Sequence, residues 1–137
     1  MDRHLCDYAT YLAAVCERGG YDDRQSAEDA VHIVLGVLGR RIGPVMAREV
    51  ATQLPAEAGE ALIAGSAATM TSWDVTTFVT RVAHAAGTLE QEAAADAEAV
   101  LSAITDTVSG TQLKGILSRI PSDYAGLFDV PERVEPT

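Results

Sequence analysis

Apolar positions recur along this chain at helical rather than strand spacing. Leu5, Tyr8, Leu12 and Val15 follow one another at intervals of three and four, which lines them along one face of a helix. Gly19-Gly20 ends that helix. A second begins where Asp22 and Gln25 are placed to cap it, and it carries Ala27, Val31, Val34 and Leu38 on one narrow face of small side chains. Gly36 and Gly39 lie within it at a cost of about 1 kcal/mol each relative to Ala, a cost that either close packing or a fraying end explains. Gly43-Pro44 then breaks the chain, with Pro44 suited to the first position of a third helix whose Met46, Val50 and Leu54 point inward.

The order then repeats. Laying Tyr8 to Ile63 over Val75 to Phe128, with one residue of slack near Gly20 and Gly87, puts Val34-Leu35 on Val100-Leu101 and Ile42 on Val108. It also puts Val50 on Ile116, Leu54-Pro55 on Ile120-Pro121 and Leu62 on Phe128. Persistence of hydrophobic phase with low letter identity points to an internal duplication. The second opening helix has Val75, Phe78, Val79 and Val82, with Thr71 and Asp74 fitting a capping box and Met70 and Val75 a hydrophobic staple. Gly87 ends it; Ala93, Ala97, Val100 and Ile104 line the next helix, which with its first-copy counterpart is expected to form the most buried pair. After Ser109-Gly110, Leu113, Ile116, Leu117 and Ile120 face inward, and Pro121 forces a stop before a short helix through Tyr124, Leu127 and Phe128.

The expected fold is all-α: a bundle of two tandem, pseudo-symmetric repeats of three to four helices, eight helical segments in all, two of them short. One domain covers residues 1–128, with repeat one at about 5–64 and repeat two at about 72–128, joined by the stretch from Gly65 to Ser72. Residues 129–137, with two prolines and three acidic side chains, form a flexible acidic tail.

Composition sharpens this picture. The 137 residues are 47% hydrophobic but 5% aromatic, so the core is expected to consist of Ala, Val, Leu and Ile rather than stacked rings. Ten Lys and Arg against 20 Asp and Glu leave a net charge of −10, which repels phosphate backbones and argues against nucleic acid as a partner. Met1 to Asp7 carries charge and no apolar run, and no stretch reads as the ~20 apolar residues of a membrane span, so the expected location is the cytoplasm. Cys6 and Cys16 stand about 15 Å apart along one helix axis, beyond disulfide reach, and read as two largely buried free thiols.

The ending Ile120-Pro-Ser-Asp-Tyr-Ala-Gly-Leu-Phe128, together with Tyr11, Gly20, Asp22 and Asp23 in the opening helix and its acidic loop, resembles the bacterial family of domain of unknown function 2267. The resemblance spans nearly the whole chain. The first half departs from the closing motif, since Leu54-Pro55 is followed by Ala58, Leu62 and Ile63 rather than aromatic residues. What the resemblance implies is a compact helical bundle in a cytoplasmic bacterial protein without an established catalytic role; it carries over no functional residue.

A search for chemistry finds no catalytic constellation. His4, His32 and His84 lack partners at zinc-ligand spacing, with His4 and Cys6 the nearest approach to a pair; His32 and His84 read as helix-surface residues, and no metal or cofactor is expected. No nucleophile elbow or Gly-rich phosphate loop is present. Glu90, Glu92, Asp96 and Glu98 cluster at a helix start, where sharing a proton or a cation competes with the simpler role of complementing the helix dipole.

Arg40, Arg41 and Arg48 gather locally and read either as a partner-binding patch or as a solvated helix end. Trp73, the single Trp, belongs either to an interface or to the core. The leading expectation is a non-catalytic interaction module in which two copies about a pseudo-twofold axis receive a partner helix or a second subunit. The alternatives are a small-molecule binder or enzyme with its pocket between the copies, and a stress-linked factor that contacts a ribosome or polymerase through Arg40, Arg41 and Arg48.

Overall fold

A computed structural model describes residues 8–66, 74–107, 110–118, 120 and 122–128. They form six α-helices: α1 (Tyr8–Gly19), α2 (Arg24–Ala51), α3 (Ala56–Gly65), α4 (Val75–Ala86), α5 (Glu90–Thr107) and α6 (Gly110–Leu117), followed by a 3₁₀ segment (Ser122–Phe128). There is no strand among the described residues. Within α2 the helical torsions are interrupted at Gly43 (φ 86°, ψ 167°), so it consists of two helical segments meeting at a kink where the sequence places the break at Gly43-Pro44. That positive φ is closed to most side chains, so glycine is what permits the bend. Pro44 follows it, its absent N–H leaving no helical bond to break.

Side chains fix where the helices begin. Asp23, rather than Asp22, caps α2 by accepting from the Ser26 backbone N–H at 2.8 Å, and Gln25 instead donates to Asp29 at 2.9 Å. Asp74 is itself the cap of α4, accepting from Thr77 N–H at 2.9 Å; Thr71 and Met70 lie outside the described residues. The carboxylates of Asp23 and Asp74 are held below their ordinary range by these backbone N–H donors.

Helices α2 and α3 pack antiparallel, backbone against backbone. A Cβ on Gly39 would overlap the Leu62 carbonyl, and a Cβ on Gly65 would overlap the backbone of Gly36. Close approach, not fraying, accounts for Gly39, whose lost propensity is returned as helix–helix contact, whereas a Cβ on Gly36 would meet only Gly65 Cα at 4.0 Å.

Helix α5 is the centre of the bundle, touching α1, α2, α4 and the 3₁₀ segment. Ala93, Ala97, Val100 and Ile104 are buried as expected, but so are Ala99, Leu101, Ser102 and Ala103, so its buried surface is broad rather than narrow. The core is also more aromatic than composition implies. Tyr11, Phe78, Tyr124 and Phe128 are among its largest fully buried side chains, and the rings of Phe78 and Tyr124 pack at 5.2 Å and 56°. Few aromatic residues are present, but these four sit at the middle, where each removes more apolar surface from water than any aliphatic residue does.

Three polar ties fasten α1 to α5. Tyr11 donates to the Val100 carbonyl at 2.8 Å, Arg18 donates to the buried Ser102 hydroxyl at 3.1 Å, and Tyr21, just past α1, donates to Asp96 at 2.6 Å. Burial and the Asp96 carboxylate push the Tyr21 phenol well above its ordinary pKa, so it stays a donor.

By length and composition α2 passes for a membrane-crossing helix, contrary to the reading of the sequence alone. Half of its apolar window is buried inside the bundle, where Val31, Val34, Leu35 and Leu38 pack into the core.

Candidate functional site

Past its bend, α2 has a buried and an exposed side. Ala47, Val50 and Leu54 point inward, whereas Met46, expected to join them, is 37% exposed and Val45 is 68% exposed. The break at Gly43 is where the sequence places it, but the face buried after it runs through Ala47, Val50 and Leu54, and apolar spacing within the segment does not put Met46 outside it.

Arg40 and Arg48, which flank these two residues in sequence, are exposed. Arg41 is half-buried, its guanidinium carbon 5.8 Å from the centroid of the Tyr124 ring, a cation–π distance. The structure thus gives Arg41 a partner in the 3₁₀ segment and leaves Arg40 and Arg48 facing outward. No acidic residue occurs between Asp29 and Glu49, so this is a locally basic stretch on a chain of net charge −10. Trp73 lies outside the described residues.

The acidic group at the start of α5 is dispersed by the fold. Glu90 accepts from Thr80 Oγ1 at 3.1 Å, Glu92 reaches back to the Leu89 N–H at 3.4 Å and Asp96 holds Tyr21. Each has its own donor, an arrangement that serves helix capping and tertiary fastening. His32 and His84 are exposed, as expected; His4 and Cys6 lie outside the described residues. Cys16 is half-buried with a free thiol, its Sγ 4.0 Å from the Asp23 carbonyl. Among the described residues no three His, Cys, Asp or Glu side chains converge as a metal site would require.

Two concavities flank α1. One, of about 590 Å³, lies over Ala9, Leu12, Ala13, Cys16, Tyr21 and Arg24. The other, of about 310 Å³, is walled by Tyr8 from α1, Glu28 and His32 from α2, and Glu57, Glu60, Ala61 and Ala64 from α3. Both draw their walls from the first half of the chain, not from the junction of the halves. In the smaller one the Tyr8 hydroxyl is buried with no hydrogen-bond partner among the described residues. Burial, then the negative charges of Glu28 and Glu57, push this phenol up to about 12, against a small opposing effect of Arg24. In the sequence Tyr8 reads only as an apolar residue on the face of its helix. Its meeting with residues 28 and 57 is made by tertiary packing, which leaves no local signal.

The architecture is that of a small all-α bundle. The chain belongs to the family of uncharacterised conserved proteins DUF2267, whose model matches residues 8–127. Comparison with curated proteins finds no match.

Proposed function

We propose that this chain is a non-catalytic interaction module, and that it binds a protein partner through the outer surface of the α2 bend. The observation that carries this reading is the exposure of Val45 and Met46 at 68% and 37%, beside the outward-facing Arg40 and Arg48. Two exposed apolar side chains flanked in sequence by exposed arginines suit a partner segment that presents an apolar anchor among carboxylates. The net charge of −10 repels acidic partners everywhere else, so the basic stretch also selects orientation. We read the module as two copies of one helical unit, cytoplasmic and bacterial, acting without a cofactor. The duplication is supported by an exchange of helices: α1 of the first half rests on α5 of the second, while α4 of the second touches α2 of the first.

The test compares capture from the protein's own cell lysate, at low and high salt, by the native chain and by Val45→Glu, Arg40→Glu and Arg48→Glu variants. Light scattering of each reports self-association. All three changes are on the surface and are expected to leave stability within about 0.5 kcal/mol. The reading expects one protein, or a second copy of the chain, to be held at low salt, released by Val45→Glu and weakened by either arginine reversal. A partner whose capture ignores all three changes overturns it.

A further inference from the structure

Val45 and Met46 expose adjacent apolar surface at the α2 bend, and three of the chain's ten Lys and Arg residues, Arg40, Arg41 and Arg48, fall within nine positions around them. A complement to both properties lies past the last of the described residues. Residues 129–137 carry Asp129, Glu132 and Glu135 against Arg133 alone, with Val130 and Val134 among them. The place where this segment starts is fixed by the fold. Phe128 is fully buried, and the ring of Tyr124, four residues before it, lies 5.8 Å from the Arg41 guanidinium. At about 2 Å per residue of 3₁₀ helix, residue 128 stands roughly 8 Å along the chain from that contact. The residues from 129 to 137 reach up to about 30 Å further when extended. Val45 follows Arg41 by four residues, inside that reach. We infer that residues 129–137 fold back over the α2 bend, with their valines against Val45 and Met46 and their carboxylates toward Arg40 and Arg48. The inference rests on the reading of the bend as a binding surface and adds its resident occupant, the chain's own acidic segment, which a protein partner displaces.

Tethering makes a weak contact sufficient. Exposed ion pairs are individually weak and screened by salt, and two valines cover little area. A segment joined by a short linker, however, presents itself at about millimolar effective concentration, so a contact with a dissociation constant of about 1 mM is made roughly half the time. Pro131 and Pro136 restrict the segment before it docks and lower the entropy that docking costs. Occupancy near one half covers Val45 and Met46 against non-specific apolar contact, yet leaves a partner with a larger interface able to take the surface.

The test follows the backbone amide NMR signals of the full chain. Glu132→Lys with Glu135→Lys reverses the charge of the segment, and Val134→Asp removes an apolar contact. Each change is expected to shift the amides of Arg40, Val45, Met46 and Arg48 and to leave those of α1 and α5 in place. Val45→Glu, on the surface, should in return shift the amides of residues 129–137. Salt raised to about 1 M, where the screening length falls to about 3 Å, should move the native spectrum toward that of the charge-reversed chain. Changes in the segment that leave residues 40–48 unmoved overturn the proposal. So do shifts at residues 40–48 that fade when the native chain is diluted, since these assign the surface to the segment of a second copy. Capture from lysate is a separate readout: release of the segment should tighten partner binding about twofold, the share of the surface it had occupied. Failure to find any partner counts against the proposed function alone, because the amide shifts need no partner.

Discussion

Tyr8 and Tyr11 lie one helical turn apart on α1, both buried, and differ in one respect: the Tyr11 hydroxyl donates to the Val100 carbonyl at 2.8 Å, whereas that of Tyr8 has no partner among the described residues. Replacing each by Phe removes one oxygen and preserves the ring, so the pair isolates the hydroxyl. For Tyr11→Phe the loss is one buried hydrogen bond, about 1 kcal/mol net. Val100 is inside α5 and its carbonyl keeps its place in the helical ladder, so no large penalty for an orphaned acceptor is added. For Tyr8→Phe the sign reverses, because the unfolded chain gives that hydroxyl to water and the folded chain does not. Its removal is expected to stabilise the protein by up to about 1 kcal/mol. For a chain of this length, 1 kcal/mol corresponds to roughly 3–4 °C in Tm. Urea unfolding followed by circular dichroism, with equal m values required of all three proteins, measures the difference. If both variants move in the same direction by comparable amounts, the distinction between the two hydroxyls is wrong.

Two further outcomes follow from the same structure. Gly36→Ala should stabilise α2 by about 0.5–1 kcal/mol through helix propensity, since its Cβ would meet nothing nearer than Gly65 Cα at 4.0 Å. Gly39→Ala, three residues on, should destabilise by about 2 kcal/mol or more as its Cβ drives into the Leu62 carbonyl; thermal unfolding of the two separates them. In alkali, an unfolded Tyr8 ionises near 10 and the folded one only near 12, so above pH 10 the unfolded chain releases its proton first and stability falls as pH rises through that window. Burial raises Tyr11 and Tyr21 as well, so tyrosinate absorbance should lag that of the unfolded chain and rise together with loss of helix.

Helix positions were legible because their causes are local. Spacing of Tyr8, Leu12 and Val15, the acidic caps, and the breaks at Gly20, Gly43 and Gly87 all act within a few residues, and the family resemblance rested on the closing run to Phe128. What failed was non-local. Met46, placed inward by its spacing from Val50 and Leu54, is 37% exposed, because which face of a helix is covered depends on the elements it meets in space. Aromatic scarcity suggested an aliphatic core, yet where a ring goes depends on its neighbours in space, and four of them go to the middle. Arg40, Arg41 and Arg48 were visible as a group, but the Tyr124 ring that engages Arg41 comes from the other end of the chain. The acidic pocket around Tyr8 combines three helices and had no signature in any one of them.

The seating of α1 on α5 also bears on how the chain is made. Tyr11 and its acceptor Val100 are 89 residues apart, and Arg18 and Ser102 are 84 apart. At synthesis rates of about 5–20 residues per second, α1 emerges roughly 4–18 s before the helix that receives it. Over that interval α2 and α3 can close on each other, since they are neighbours in sequence, while the side of α1 that carries Tyr11 waits for a surface not yet translated. The N-terminal half therefore completes its packing only once α5 has been made. Nascent chains that stop before α5 leave the side of α1 that carries Tyr11 and Arg18 without the helix it packs on.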